Sequence, residues 1–215
     1  MTKDPAFTSE HDTDQFTPLA AVPRDPNAVY LFDFDGVVAS GTEDQIYKLH
    51  ERRGEREMFA RIEDRLSLRI RQMDMRYRRH LLFQELAAEH SLEMAKGPGF
   101  ALAKWASDHA RFFVLTARSG WAATARARDF LRHHQLKPID LYQVGRVHKD
   151  RQVLRTVEEF AAATVFYIED APAHLARSAA LKLASLTPVY CAASIDLADV
   201  EALYQKVFGP DLKHE

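Results

Sequence analysis

Short apolar runs that end in polar residues recur along this chain. The first reads Ala-Val-Tyr-Leu-Phe-Asp-Phe at 28–34 and continues into Asp35-Gly36. Runs of this length, bounded by polar turns, are typical of strands buried in a parallel sheet. We therefore predict five strands, the last two from weaker patterns: 28–34, 111–116, 164–168, 140–144 and 187–191.

Helical patterns fill most of the intervals between these runs. Strands that alternate with helices indicate βαβ units with right-handed crossovers. The expected fold is therefore α/β, a three-layer Rossmann-like core around a parallel sheet. The predicted helices span about 99–108, 120–134, 150–162, 172–183 and 196–208.

The segment 41–96 interrupts this alternation. Apolar residues there, such as Phe59, Ile62 and Leu66, keep a helical spacing without any strand pattern. We predict a small all-helical cap that lies over the carboxyl edge of the sheet, where folds of this class bind ligands. The predicted domains are a disordered or loosely docked tail at 1–27, a core at 28–40 and 97–215, and the cap at 41–96.

The composition and net charge of the chain argue against some classes of function. Hydrophobic residues make up 47% of the chain, so a packed core is expected, and the net charge of −2 argues against a nucleic-acid coat protein. No apolar run approaches the ~20 residues that span a bilayer, so we expect no membrane partner. The single cysteine, Cys191, excludes an internal disulfide and favours a reducing, cytoplasmic compartment.

The first candidate for chemistry is the pair of acids around Phe34. Side chains two positions apart on a strand point the same way, so Asp33 and Asp35 are expected to converge. Two buried carboxylates repel each other, and a hard cation such as Mg²⁺ relieves that repulsion. The alternative is a plain turn, in which the aspartates cap the chain and Gly36 takes a positive φ.

The second candidate follows the strand at 111–116. The hydroxyl of Thr116 and the backbone N–H groups near Ala117 and Arg118 offer donors for a phosphate at a helix start. The alternative is that Thr116 or Ser119 only caps the next helix.

The third and fourth candidate sites lie further along the chain. Lys149 precedes a helix and is suited to hold a phosphate or neutralise a carboxylate, with a solvated surface lysine as the alternative. Glu169 and Asp170 follow an apolar strand and offer metal ligands, with capping of the helix at Pro172 as the alternative.

The four candidate sites, in this order along the chain, resemble the motifs of the haloacid dehalogenase-like (HAD) hydrolase superfamily. The resemblance covers about Tyr30 to Tyr190, and a helical cap between the first two motifs is an arrangement of that family. The matching residues are Asp33-Phe34-Asp35-Gly36, Thr116, Lys149 and Glu169-Asp170.

The resemblance implies a Mg²⁺-dependent phosphatase that cleaves a small phosphomonoester. It makes Asp33 the nucleophile that forms an aspartyl-phosphate, and Asp35 the general acid and base. Thr116 and Lys149 are then catalytic and bind the phosphoryl oxygens, together with Ala117 and Arg118. The implied metal ligands are Asp33, the backbone carbonyl of Asp35, and Asp170, with Glu169 beside them.

Two other functions are also compatible with the sequence. A sugar phosphomutase of the same superfamily shares the Glu-Asp fourth motif and the Asp-Gly-Val-Val start. A phosphatase for nucleotides or nucleic-acid ends fits the arginine-rich segment 69–80, but 41–96 carries 12 basic and 11 acidic residues. A salt-bridged, solvated helix face is the simpler interpretation of that segment.

Overall fold

The core of this protein is a six-stranded sheet in which all the strands run parallel. The computed structural model describes residues 13–40, 94–118, 121–144 and 149–192. The sheet lies in the first of two compact units of the chain, formed by 1–39 and 96–193. Its strands are β1 (Thr17–Pro18), β2 (Val29–Asp33), β5 (Arg111–Thr116), β6 (Asp140–Gln143), β7 (Val165–Glu169) and β8 (Leu186–Tyr190).

The order of these strands is β1-β8-β7-β2-β5-β6, which puts β2 at the centre between β7 and β5. Two two-residue strands, β3 (Ala39–Ser40) and β4 (Ala95–Lys96), pair separately where the chain leaves the sheet and returns to it. The α/β fold with a parallel sheet, as predicted, is confirmed.

Among the described residues, four α-helices lie between the strands of the core. Their bounds agree with the predicted helices to within a few residues, except that two end earlier than predicted. They are α1 (Phe100–His109), α2 (Trp121–His133), α3 (Lys149–Glu159) and α4 (Pro172–Ala179). Proline at the first position of α4 is favourable, because its missing N–H would have no partner within the helix.

The two faces of the sheet are both apolar and packed. One face places Leu31, Phe113 and Tyr167 against Val153 and other residues of α3 and α4. On the other face, Tyr30 stacks on Phe166 and meets Trp105 of α1 edge-on. Every residue of β2 and β7 is buried, as expected for the central strands of a parallel sheet.

The N-terminal segment is bound to the core more closely than the sequence indicated. Phe16 is buried in the core cluster, and the next two residues form the edge strand β1 beside β8. The hydroxyl of Tyr30 donates to the carbonyl of Pro23 and accepts from the N–H of Asp25. Over 13–27, therefore, the segment predicted to be a disordered or loosely docked tail is attached to the core by one aromatic side chain and the edge strand.

Several predictions fall on parts of the chain outside the described residues. These are the cap over 41–93 with its arginine-rich segment, the helix at 196–208, and the first 12 residues of the tail. Among the described helices, none has the length and apolar character required to cross a membrane.

Replacing Phe16 by alanine tests whether the N-terminal segment is part of the core. We expect Phe16→Ala to lower the free energy of unfolding by about 3–5 kcal/mol, because a buried ring is removed and a cavity is left. Urea denaturation measures the change. The exposed Arg24 supplies the control, since Arg24→Ala should shift stability by no more than about 0.5 kcal/mol. Equal stability of both variants would show that the segment is only loosely docked.

Candidate active site

The carboxyl ends of β2 and β7 place two acids side by side. Asp33 is the last residue of β2, and Glu169 is the last residue of β7. Because Phe32 pairs with Ile168 in the parallel register, the two acids stand at the same level and on the same face of the sheet. Both are buried, with Asp33 4% exposed and Glu169 fully covered.

Lys149 lies between these two carboxylates. Its Nζ is 2.7 Å from Oδ2 of Asp33 and 2.8 Å from Oε2 of Glu169. The lysine is the first residue of α3 and is 5% exposed, so the alternative of a solvated surface lysine is excluded. Burial alone would lower the pKa of Lys149, but the two carboxylates outweigh it and raise that pKa above its ordinary value.

Glu169 is held by a dense set of donors. Its Oε2 accepts from Tyr167 Oη at 2.6 Å as well as from Lys149, and Nδ1 of His174 lies 3.3 Å away. Its Oε1 accepts from the backbone N–H of Ala171 at 3.2 Å. These contacts hold the carboxylate of Glu169 against the ammonium of Lys149 and engage Oε2 more heavily than Oε1.

The pKa values of the two acids are shifted in opposite directions. Burial and the charge of Glu169 raise the pKa of Asp33 well above its ordinary value. Burial also acts to raise the pKa of Glu169, but Lys149 and then His174 outweigh it and lower that pKa well below the usual range. Two neighbouring carboxylates with pKa values driven apart are typical of a functional site.

Asp170 adds a third carboxylate to this edge of the sheet. Ligand atoms of Asp33, Glu169 and Asp170 all lie within 4.8 Å of one another. The helix cap at the start of α4 is Ala171, so the interpretation of Asp170 as that cap is excluded. Three carboxyl groups lie together beside the ammonium of Lys149, and their hard oxygen donors suit Mg²⁺.

The turn after β2 brings Gly36 against Asp170. Gly36 has φ +83°, and a Cβ at this position would overlap Oδ2 of Asp170. Its N–H donates to the carbonyl of Ala39, whose own N–H returns to the carbonyl of Phe34. Only glycine fits both this backbone conformation and the close approach of the acid.

Asp35 has a different partner from Asp33. Its carboxylate accepts from Nε of Arg118 at 3.1 Å and from Nη2 at 2.7 Å. The acidic cluster found among the described residues consists of Asp33, Glu169 and Asp170, and the carboxylate of Asp35 is paired with Arg118. Because β2 ends at Asp33 and Asp35 lies in the turn that follows, the expected convergence of the two aspartate side chains stays a prediction.

Thr116 ends β5 and is fully buried. Its Oγ1 accepts from the backbone N–H of Arg118 at 3.0 Å, which shapes the turn out of the strand. Arg118 precedes the first residue of α2 by three positions, so this contact shapes the turn rather than capping the helix. Roles of Thr116 and Ala117 toward a phosphate stay predictions, as does the backbone carbonyl of Asp35 as a metal ligand.

Tyr167 and His174 also contact Glu169, and of these two the sequence did not single out Tyr167. Tyr167 precedes Glu169 by two positions on the same strand, so the alternation of side chains was the available signal. His174 lies on the first turn of α4, and its position could be read from the sequence but not its partner. Cys191, also near the acids, is fully buried, and burial and then Asp170 raise its pKa to about 12.

Comparison with known proteins finds similarity at the level of structure alone. No protein-family model matches the sequence, and none of the curated proteins matches it. A solved chain from Bacteroides fragilis, described as a haloacid dehalogenase-like hydrolase, is 18% identical with a TM-score of 0.49. That match covers 81% of this chain and 92% of the other.

Two further solved structures are similar at lower scores. One, from Thermotoga maritima, is described as a β-phosphoglucomutase and is 15% identical over 84% of this chain and 96% of that chain, with a TM-score of 0.46. The other is a HAD family enzyme from Bacteroides thetaiotaomicron in complex with magnesium. It is 12% identical over 82% of this chain and 99% of that chain, with a TM-score of 0.44. These likenesses concern the fold, so the chemistry has to be argued from the side chains.

Replacing Lys149 by methionine tests the charge balance of the site. We expect Lys149→Met to lower the free energy of unfolding at pH 7 by about 3 kcal/mol, because two buried carboxylates lose their shared cation. In the wild type, the low pKa of Glu169 contributes stability at neutral pH that is lost in acid. In the variant the carboxyl pKa values rise, so stability should increase as the pH falls from 7 to 5.

The exposed Lys137 provides the matched control for that experiment. Lys137→Met should leave both the stability and its pH dependence close to those of the wild type. A Lys149→Met variant with unchanged stability at pH 7 would mean that the ammonium is not balancing the two acids.

Replacing Gly36 by alanine tests the approach of the turn to Asp170. The new Cβ displaces the carboxylate and strains the turn, so we expect binding of Mn²⁺ or Mg²⁺ to weaken at least about tenfold. Isothermal titration calorimetry measures the affinity, and circular dichroism confirms that the variant is folded. Wild-type affinity in a folded Gly36→Ala protein would remove Asp170 from the ligand set.

Proposed function

We propose that this chain is a Mg²⁺-dependent phosphohydrolase of the HAD type, which cleaves a small phosphomonoester through an aspartyl-phosphate. One observation carries the proposal. A buried carboxylate, Asp33, stands at the carboxyl edge of the central strand, beside an ammonium and next to a second acid, Asp170, that suits a shared cation. The four motifs that resemble the HAD superfamily supply the same assignment from the sequence.

The first chemical step forms the aspartyl-phosphate. An oxygen of Asp33 attacks phosphorus, the bond from phosphorus to the ester oxygen breaks, and Asp35 donates a proton to the leaving alkoxide. Lys149 supports this step because its ammonium, 2.7 Å from Asp33, acts to lower the pKa of that carboxyl against the effect of burial. From its place in the motif, we assign the same ammonium to the phosphoryl oxygens.

The second step returns the nucleophile. A water oxygen bonds to phosphorus as the bond to Asp33 breaks, and Asp35 takes a proton from that water. Inorganic phosphate leaves, and Asp33 is regenerated as a carboxylate. Thr116 and the N–H groups after it are assigned to the phosphoryl oxygens, because they begin the turn at the end of the neighbouring strand β5.

Asp33 and Asp170 would hold the metal, with Glu169 orienting Lys149 from the same side. A bound Mg²⁺ supplies positive charge that lowers the repulsion between the nucleophile and the phosphate dianion. The residues fit the group, because their hard oxygen donors are clustered. The partner is proposed to be a small phosphorylated metabolite, and the compartment the cytoplasm.

Replacing Asp33 by asparagine tests the nucleophile. Asparagine keeps the shape of the side chain but removes the attacking oxygen anion, so we expect kcat on any phosphomonoester to fall by at least about 1,000-fold. The assay uses p-nitrophenyl phosphate and a panel of phosphorylated metabolites with Mg²⁺. Asp129→Asn, at an exposed acid, is the control and should retain wild-type turnover. Turnover by Asp33→Asn equal to that of the wild type would refute the assignment.

The same panel separates the other two functions. A sugar phosphomutase would convert a sugar phosphate into its isomer faster than it releases inorganic phosphate. A phosphatase for nucleic-acid ends would prefer a 5′- or 3′-phosphorylated oligonucleotide to small esters, and its activity would fall steeply with salt. Release of phosphate from small esters, without isomer, is the result that the proposal predicts.

A further inference from the structure

A second buried ion pair lies beside the first and joins Arg118 to Asp35. The guanidinium reaches the carboxylate through two nitrogens, with Nε 3.1 Å from each oxygen and Nη2 2.7 Å from Oδ1. Such two-point pairing fixes the plane of a carboxylate as well as its position.

The two side chains of this ion pair differ in their exposure to solvent. The side chain of Arg118 is 2% exposed, whereas that of Asp35 is 19% exposed. The guanidinium also lies over the ring of Phe34, with its central carbon 5.3 Å from the ring centroid, and the arginine's backbone N–H donates to Thr116. Asp35 therefore lies on the side of the pair that solvent reaches, and the arginine lies behind it.

A phosphate anion that approached Arg118 would compete with Asp35 for a guanidinium that is 2% exposed. The sequence placed Arg118 among the phosphate ligands, but the burial of its guanidinium and its contact with Asp35 favour a different role. We infer that Arg118 is a positioning residue that fixes the Asp35 carboxylate for proton transfer, rather than a ligand of the substrate's phosphoryl group. This inference rests on the proposed phosphohydrolase function.

The inference separates the two chemical steps. With p-nitrophenyl phosphate, the leaving phenolate needs little protonation, so formation of the aspartyl-phosphate does not depend on Asp35. Hydrolysis of that intermediate does depend on Asp35, which takes a proton as water attacks phosphorus and the bond to Asp33 breaks. A loosened Asp35 should therefore slow the second step and leave phosphate on the enzyme.

The test compares Arg118→Met and Arg118→Lys with the wild type. We expect Arg118→Met to lower kcat by roughly 10- to 100-fold with KM within about twofold, and to accumulate phosphoenzyme in acid-quenched samples. Arg118→Lys keeps the charge without the two-point geometry and should lie between the two. Binding of inorganic phosphate, measured by calorimetry with Mg²⁺, should stay within about twofold of the wild-type value.

Two controls keep the outcome clear. Arg128→Met changes an exposed arginine on α2 and should leave every readout unchanged. Thermal unfolding shows whether Arg118→Met is folded, and Arg118→Lys serves in its place if it is not. In a double-mutant comparison, Asp35→Asn and Arg118→Met together should lower kcat no further than Asp35→Asn alone.

Different results would contradict the role of Arg118 and the proposed function. A rise of tenfold or more in KM and in the dissociation constant of phosphate, with kcat retained, would make Arg118 a phosphate ligand and overturn the inference. Unchanged kcat and no accumulated phosphoenzyme would overturn it as well. Absence of Asp33-dependent turnover in the wild type would instead refute the proposed function, and the positioning role with it.

Discussion

The ammonium of Lys149, shared between Asp33 and Glu169, is the interaction on which the rest of the site depends. Two carboxylates at this depth would repel each other, and burial would favour protonation of at least one of them. The lysine lies between them at 2.7 and 2.8 Å and keeps the pKa of Glu169 low, whereas burial and the charge of Glu169 keep the pKa of Asp33 raised. Asp33 has to be ionised to act as a nucleophile or a metal ligand, and a bound cation would favour that form.

The register of β2 and β7 and the position where α3 begins bring these three side chains together. β2 and β7 are adjacent and parallel, so their last residues meet, and α3 begins where its first side chain can reach both. Tyr167, one pleat below Glu169 on the same face, holds that acid from beneath. A second ion pair joins Arg118 to Asp35, the other aspartate of the motif. Two acids only two residues apart thus have separate basic partners.

Much of this arrangement could be predicted from the sequence. Apolar runs of strand length located β2, β5 and β7, and the polar residues at their ends located Asp33, Thr116 and Glu169. This works because parallel strands in an α/β fold bring their carboxyl ends to one edge, whatever their order. The parallel sheet and the four helices followed from the same alternation.

Other features depend on contacts that no local pattern encodes. The pairing of Asp35 with Arg118 depends on where the strand ends and the turn begins, a difference of one residue. The pairing of Arg118 depends on which side of the turn its side chain takes. The attachment of the N-terminal segment depends on one buried ring, Phe16, in a stretch whose prolines and acids indicated a loose tail.

The most direct test of the account is to identify the atom that carries phosphate during turnover. The protein would be mixed with a phosphomonoester and Mg²⁺, quenched in acid, digested and mapped by mass spectrometry. The account predicts a phosphoryl group on Asp33, dependent on Mg²⁺ and removed by hydroxylamine, as an acyl phosphate should be. Turnover with no phosphorylated intermediate, or with phosphate on a residue other than Asp33, would contradict it.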